Sequence, residues 1–191
     1  MKTDQTFAGI PEKFSKKEQS KIVLIPVPFD GNNYTHEGPK AFLNAAENME
    51  LYDIETDFEV YQEGIYLADA IKENSSTKAV VEALHFTVKE HINRNKFVTI
   101  FGGENIISKG TIRAFNECFD NISVLHIDAH ANVKKEVNGD TYHNRCALNE
   151  ATQTTNLIQV GIRSMSASEK NIVNFDKTFF AHEMAINDYW M

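Results

Sequence analysis

Asp128 and His130 stand two residues apart, just past a short apolar run, in the stretch SVLHIDAHAN (Ser123–Asn132). At that spacing a carboxylate and an imidazole can project the same way from extended backbone. Converging oxygen and nitrogen donors make half a site for a divalent metal. The same residues also read as a strand end whose Asp caps the helix that follows. Both readings stand on this stretch alone. Gly102-Gly103-Glu104-Asn105 closes a second apolar run, and its paired glycines allow a sharp turn and a close approach to a ligand. His143 lies in a polar loop, Thr141–Arg145, and Asp30, Glu104 and Asp140 supply further carboxylates. His85 and His91 fall inside a helical pattern and read as surface or packing residues rather than ligands. Cys118 and Cys146 form neither a CxxC pair nor a disulfide framework, as expected of two ordinary thiols in a reducing compartment.

The candidate loops follow apolar runs, where open α/β sheets place their ligands. Lys21–Pro28, Lys96–Phe101, Ser123–Ile127 and Asn156–Val160 read as strands, the central Ser123–Ile127 buried on both faces. Gly64–Leu67 and Thr178–Ala181 are shorter strand candidates. Helices are predicted over Pro39–Leu51, Lys78–Asn95 (behind the cap Asn74–Thr77), Asn105–Asn116, Cys146–Ala151, Ser164–Asn174 and His182–Met191. Ser166 and Glu169 match a capping box. Residues 1–20 form a polar lead-in. This alternation predicts an α/β/α fold with a mainly parallel sheet and right-handed crossovers. With no repeat and no linker, residues 1–191 read as a single domain.

The 191 residues are 42% hydrophobic and 24% charged, as in a globular protein. A net charge of −8 without a Lys/Arg cluster argues against nucleic acid or a membrane as partner and mildly favours cationic small molecules. The opening MKTDQTFAGIPEKF lacks a signal peptide's apolar run, and no stretch is apolar enough to span a bilayer. A cytoplasmic location is expected.

With these motifs in place, the chain resembles the ureohydrolases, the binuclear manganese family of arginase, agmatinase and formimidoylglutamase, and within it looks most like a bacterial agmatinase. PVPFDG resembles the family's first strand and substrate loop, and GPKAF the start of its first helix. FGGENIISKGTIRAF resembles the GG(E/D)HS segment, VLHIDAHAN the DAHAD segment and LIQVGIRS the QIGIR strand. The resemblance implies an arginase-like three-layer fold, manganese, and hydrolysis of agmatine to putrescine and urea.

The departures from the family pattern fall on the metal. The resemblance implies a metal-binding His where this chain has Asn105. It implies three ligands from DAHAD, of which Asp128 and His130 remain while the third is Asn132. Two further Asp ligands belong to an SFDxDxxDP segment absent from these residues. A substrate-contacting His aligns with Asn144, with His143 shifted by one place. Two divalent ions about 3.5 Å apart repel by roughly 19 kcal/mol at an effective dielectric of about 20. The family offsets this with four carboxylates and two imidazoles; these positions keep one of each. Asn105 and Asn132 offer neutral amide oxygens. The chain alone is therefore not expected to hold the metal pair.

The resemblance also implies that the family's last two strands lie mid-sheet, between the third and fourth, and are missing here. The preferred expectation is direct pairing of strands three and four into one six-stranded sheet; the alternative is a second chain filling the gap. Three functions follow. The first is a degenerate ureohydrolase that binds a guanidinium or amine ligand, forms a homo-oligomer or pairs with a full-length paralogue. The second is an active hydrolase with a site rebuilt around Asp128 and His130. The third is half of a split enzyme completed by a complementary chain.

Overall fold

The computed structural model describes residues 6–31 and 35–186. The chain divides into two compact units, Met1–Glu104 and Asn105–Met191.

The first unit is built on β1 (Ile22–Val27), where Val23, Leu24, Ile25 and Val27 are all buried. Such a strand needs neighbours on both edges. It has β2 (Ile65–Leu67) on one side and β3 (Phe97–Gly102) on the other, both parallel, in the order β2-β1-β3. Helix α1 (Gly38–Ala46) starts with Pro39 in its first turn, where a missing N–H costs nothing, and is shorter than the expected Pro39–Leu51. Helix α2 (Thr77–Ile92) begins where Ser76 Oγ accepts the Ala79 N–H at 3.1 Å. Its buried stripe of Val80, Val81, Leu84 and Val88 follows the helical period. His85 and His91 are buried on the same helix. The lead-in is less polar in effect than in composition, because Phe7 and Ala8 join Leu24, Leu43 and Ala46 in one core cluster.

The second unit carries β4 (Ser123–Ile127), β5 (Asn156–Ile162) and β6 (Thr178–Phe180), all parallel, in the order β4-β5-β6. Helix α3 (Ile107–Cys118) precedes β4. Helix α4 (Ala151–Thr154) precedes β5, and α5 (Ala181–Met184) follows β6. Arg113 of α3 grips Glu150 through Nε at 2.9 Å and Nη2 at 2.7 Å, a two-pronged ion pair.

Five expectations are corrected. Strands three and four do not pair among the described residues; β3 ends one three-stranded sheet and β4 ends another. Apolar patterning marks which residues form strands, but neighbours are chosen by crossover and register, which patterning does not encode. Consequently β4 is an edge strand; separately, one of its faces, carrying Ser123, Leu125 and Ile127, is uncovered, with Leu125 62% and Ile127 75% exposed, so it is not buried on both faces. The helix expected over Ser164–Asn174 is a single 3-10 turn, Glu169–Asn171, whose N-cap is Ser168 without a side-chain cap bond; Ser166 Oγ donates to Glu169 Oε2 at 2.8 Å rather than capping a helix N–H. The helix expected over Cys146–Ala151 splits into a 3-10 turn, Asn144–Cys146, and α4. The helix expected from His182 runs only to Met184 within α5, and its last expected residues, 187–191, lie outside the described residues. No helix among the described residues is long and apolar enough to cross a membrane.

Candidate functional site

In the second unit β4 ends at Ile127, and the Asp128 N–H still reaches Val160 O of β5 at 3.1 Å. The chain then leaves the sheet as the loop Ala129–Val133. Asp128 Oδ1 accepts the His130 backbone N–H at 2.8 Å, an Asx turn that fixes the carboxylate over its own loop. Its Oδ2 lies 3.1 Å from Asn132 Nδ2 and 3.3 Å from His126 Nε2. His126 Nδ1 faces Gln159 Nε2 at 3.0 Å. An amide NH2 can only donate, so the proton of the neutral imidazole sits on Nε2 and points at Asp128. The His130 ring is well exposed and stands 3.5 Å from Asp128.

Burial alone would raise the Asp128 pKa, but the His130 N–H and the neighbouring His126 outweigh it and hold the carboxyl below its usual value. Burial lowers the His126 pKa, against the pull of Asp128. The sign of the resulting pH dependence follows. As pH falls, the unfolded chain takes up the His126 proton first, so this contribution is full above about pH 6.5, the ordinary histidine value. It declines below that until the folded imidazole also protonates. Urea midpoints should therefore fall as the pH is lowered through about 6.5, and the slope should flatten in His126→Gln. A slope unchanged by the substitution would assign the effect elsewhere.

The remaining loop atoms are held as closely. Ala129 O accepts the Arg163 and Ser164 N–H groups at 2.9 and 3.0 Å, and Ala131 O accepts Gln159 Nε2 at 2.8 Å. Asn132 O accepts the Leu148 N–H at 2.9 Å, and the Val133 N–H is donated to Glu169. His126, Gln159 and Glu169 were not among the sequence candidates. For Gln159 the available signal was a polar residue inside the apolar run NLIQV.

The other candidates are bound into their own surroundings. His143 Nδ1 accepts the Arg145 N–H at 3.1 Å, and Asn144 Oδ1 accepts the Ile106 N–H at 3.1 Å, at the start of α3. Asn105 is exposed, and its carbonyl accepts the Ser108 N–H at 3.0 Å. Asp140 Oδ1 accepts the Tyr142 N–H at 2.7 Å. In the first unit Glu104, buried, accepts the Gly31 N–H at 3.2 Å and Thr35 Oγ1 at 3.3 Å, while Asp30 faces His36 Nδ1 at 2.9 Å. The second of the paired glycines serves this packing: a Cβ on Gly103 would lie 2.1 Å from Thr35 Cβ.

Parallel strands joined through helices, with polar loops at the strands' C-terminal ends, define an α/β protein of the kind that binds ligands along that rim. The profile of the Arginase family matches residues 20–188, and the chain belongs to that family. An N(1)-aminopropylagmatine ureohydrolase of Thermus thermophilus is 29% identical over 163 residues, covering 81% of this chain and 55% of the relative. The chain thus spans about half the length of that relative. The agmatine ureohydrolase of Thermoplasma volcanium matches with a TM-score of 0.79 at 22% identity, over 89% of this chain and 60% of that one. The Trypanosoma cruzi formiminoglutamase, solved with Mn2+, matches with a TM-score of 0.79 at 19% identity, over 90% of this chain and 64% of that one. The fold is accordingly arginase-like and covers part of its neighbours.

Manganese is the ion the family implies, and the donor set here does not fit a pair of them. Among the described residues no three His, Cys, Asp or Glu side chains are grouped so as to hold a metal. The Asp128 carboxylate, a ligand position by expectation from the sequence, is faced by N–H groups, and an N–H hydrogen repels a cation. Asn132, expected to offer at best its amide oxygen, instead turns its amide nitrogen to Asp128.

Proposed function

We propose that this chain is an agmatinase-like ureohydrolase homologue, one truncated domain over residues 1–191, that is inactive by itself and acts as a binding or oligomer-forming protein. The family reaction is manganese-dependent hydrolysis of agmatine to putrescine and urea. The observation that carries the reading is the engagement of Asp128 by three N–H donors in place of a ligand cluster. A guanidinium or amine compound is the ligand class in keeping with the family and with the net charge of −8. His143 and Asn144 are the proposed substrate-loop positions.

The test is urea release from agmatine by the purified chain with added manganese, beside Asp128→Asn/His130→Ala. Equal background in both is the expected result. Urea release that the double substitution abolishes would reject the reading in favour of a rebuilt site. Binding of agmatine by calorimetry, without turnover, would support the ligand-binding form of the proposal.

A second reading is favoured by the sheets. Strands β3 and β4 each end a sheet, and Leu125 and Ile127 are largely exposed on β4. Unprotected apolar edges invite a further strand. In this reading the chain is half of a split agmatinase. Co-expression with a chain carrying an SFDxDxxDP segment should then yield a stable complex with agmatinase activity; two separately eluting proteins would dismiss it.

A further inference from the structure

A partly buried carboxylate must be met by a cation or by hydrogen-bond donors. At Asp128 the donors are counted and their directions fixed. Oδ1 takes the His130 N–H, and Oδ2 takes Asn132 Nδ2 and His126 Nε2. Gln159, 2% exposed, fixes the imidazole tautomer from behind and bonds Ala131 O as well. Asn132 is itself 5% exposed and sits at φ 54°, the left-handed region. Asn, Asp and Gly tolerate that backbone best. Of those three, Asn is the one whose side chain donates a hydrogen bond at neutral pH.

We infer that the Asn132 side chain stands in for a cation at Asp128, so that the Asp128–Val133 loop is built to hold its shape without metal. The inference rests on the reading that this chain does not hold the metal pair, and it names the residue that replaces the ion. The rest of the loop agrees. Its carbonyls at Ala129, Ala131 and Asn132 and its N–H at Val133 all have protein partners. Aspartate at 132 would reverse the arrangement. Two carboxylates about 3 Å apart cannot both stay ionised without a proton or a cation between them. With His130 they would also restore three ligands converging from one loop.

The experiment uses the full chain, manganese chloride as the probe, thermal unfolding with and without the metal, and the free Mn2+ spin-resonance signal as a count of bound ion. The unsubstituted chain is expected to keep its Tm and to leave the free signal unchanged. Asn132→Asp is expected to lose about 5 °C without metal and to regain most of it with manganese, while depleting the free signal. Asn132→Gly, which removes the donor and keeps the backbone conformation, should lose a few degrees and ignore manganese. If Asn132→Asp is recovered only unfolded, refolding on manganese addition supports the inference and failure to refold overturns it. An Asn132→Asp chain as stable as the parent, or equally destabilised with and without manganese, overturns it too. Manganese uptake by the unsubstituted chain would overturn both this inference and the reading beneath it. An inert Asn132→Asp chain would overturn the inference alone.

Discussion

Replacing Glu169 with Ala should destabilise the chain by about 3 kcal/mol, because three buried or half-buried donors lose one acceptor at once. Glu169 is 4% exposed. Its Oε1 accepts the Val133 N–H at 3.2 Å, and its Oε2 accepts both the Ser166 N–H and Ser166 Oγ at 2.8 Å. The first bond pins the end of the Asp128–Val133 loop; the other two close the turn 33 residues further on, counting from Val133 to Ser166. Water cannot readily replace the carboxylate at Val133, which is fully buried. For a chain of this length the loss corresponds to a Tm lower by roughly 6–12 °C. Glu169→Gln keeps one acceptor but turns an NH2 toward a donor, so a smaller loss of about 1–2 kcal/mol is expected. Urea unfolding of both variants at constant m-value measures this. An Ala variant within about 0.5 kcal/mol of the parent would mean that the loop is held by its other bonds.

The second large effect is expected at Gly103. An added methyl would meet Thr35 at 2.1 Å from Cβ, 2.4 Å from Oγ1 and 2.9 Å from the carbonyl oxygen. The first two contacts involve a side chain that can rotate only in part, since Thr35 Oγ1 bonds Glu104. The third involves backbone, which must shift. Gly103→Ala should cost about 3 kcal/mol, the upper range for overpacking. The paired change Gly103→Ala with Thr35→Gly should recover part of that, because it removes the side-chain clash and leaves the carbonyl contact. No recovery would place the strain at another neighbour. The same geometry gives the second glycine of GGEN its reason: the chain itself, rather than a ligand, makes the close approach.

The elements were legible where local rules and tertiary demands coincide. The run KIVLIPVP has no alternative to a buried strand, and β1 occupies it. Ser76 caps α2 as its position before an amphipathic run requires. Ser166 and Glu169 were visible as a capping pair, and half of it forms: Glu169 Oε2 accepts the Ser166 N–H, while Ser166 Oγ donates to that carboxylate instead of capping a helix N–H. The helix behind them stops at one 3-10 turn, and the second partner of Glu169, Val133, lies 36 residues earlier, a separation that leaves no local mark. Strand order was equally hidden. Leu125 and Ile127 look like core residues in the sequence and lie instead on an uncovered face of β4. At the candidate site Asp128 and His130 could be picked out by type and spacing. The donor arrangement around them could not: an Asn side chain carries both an oxygen and an NH2, and its rotamer decides which faces Asp128.

The central claim is that these residues do not assemble the family's metal pair. Manganese content per chain after loading and desalting, by elemental analysis, tests it most directly. A value near zero is the expected result. A value near two would contradict the claim outright, and a value near one would require a single-ion site that breaks the bonds between Asp128 and its three donors.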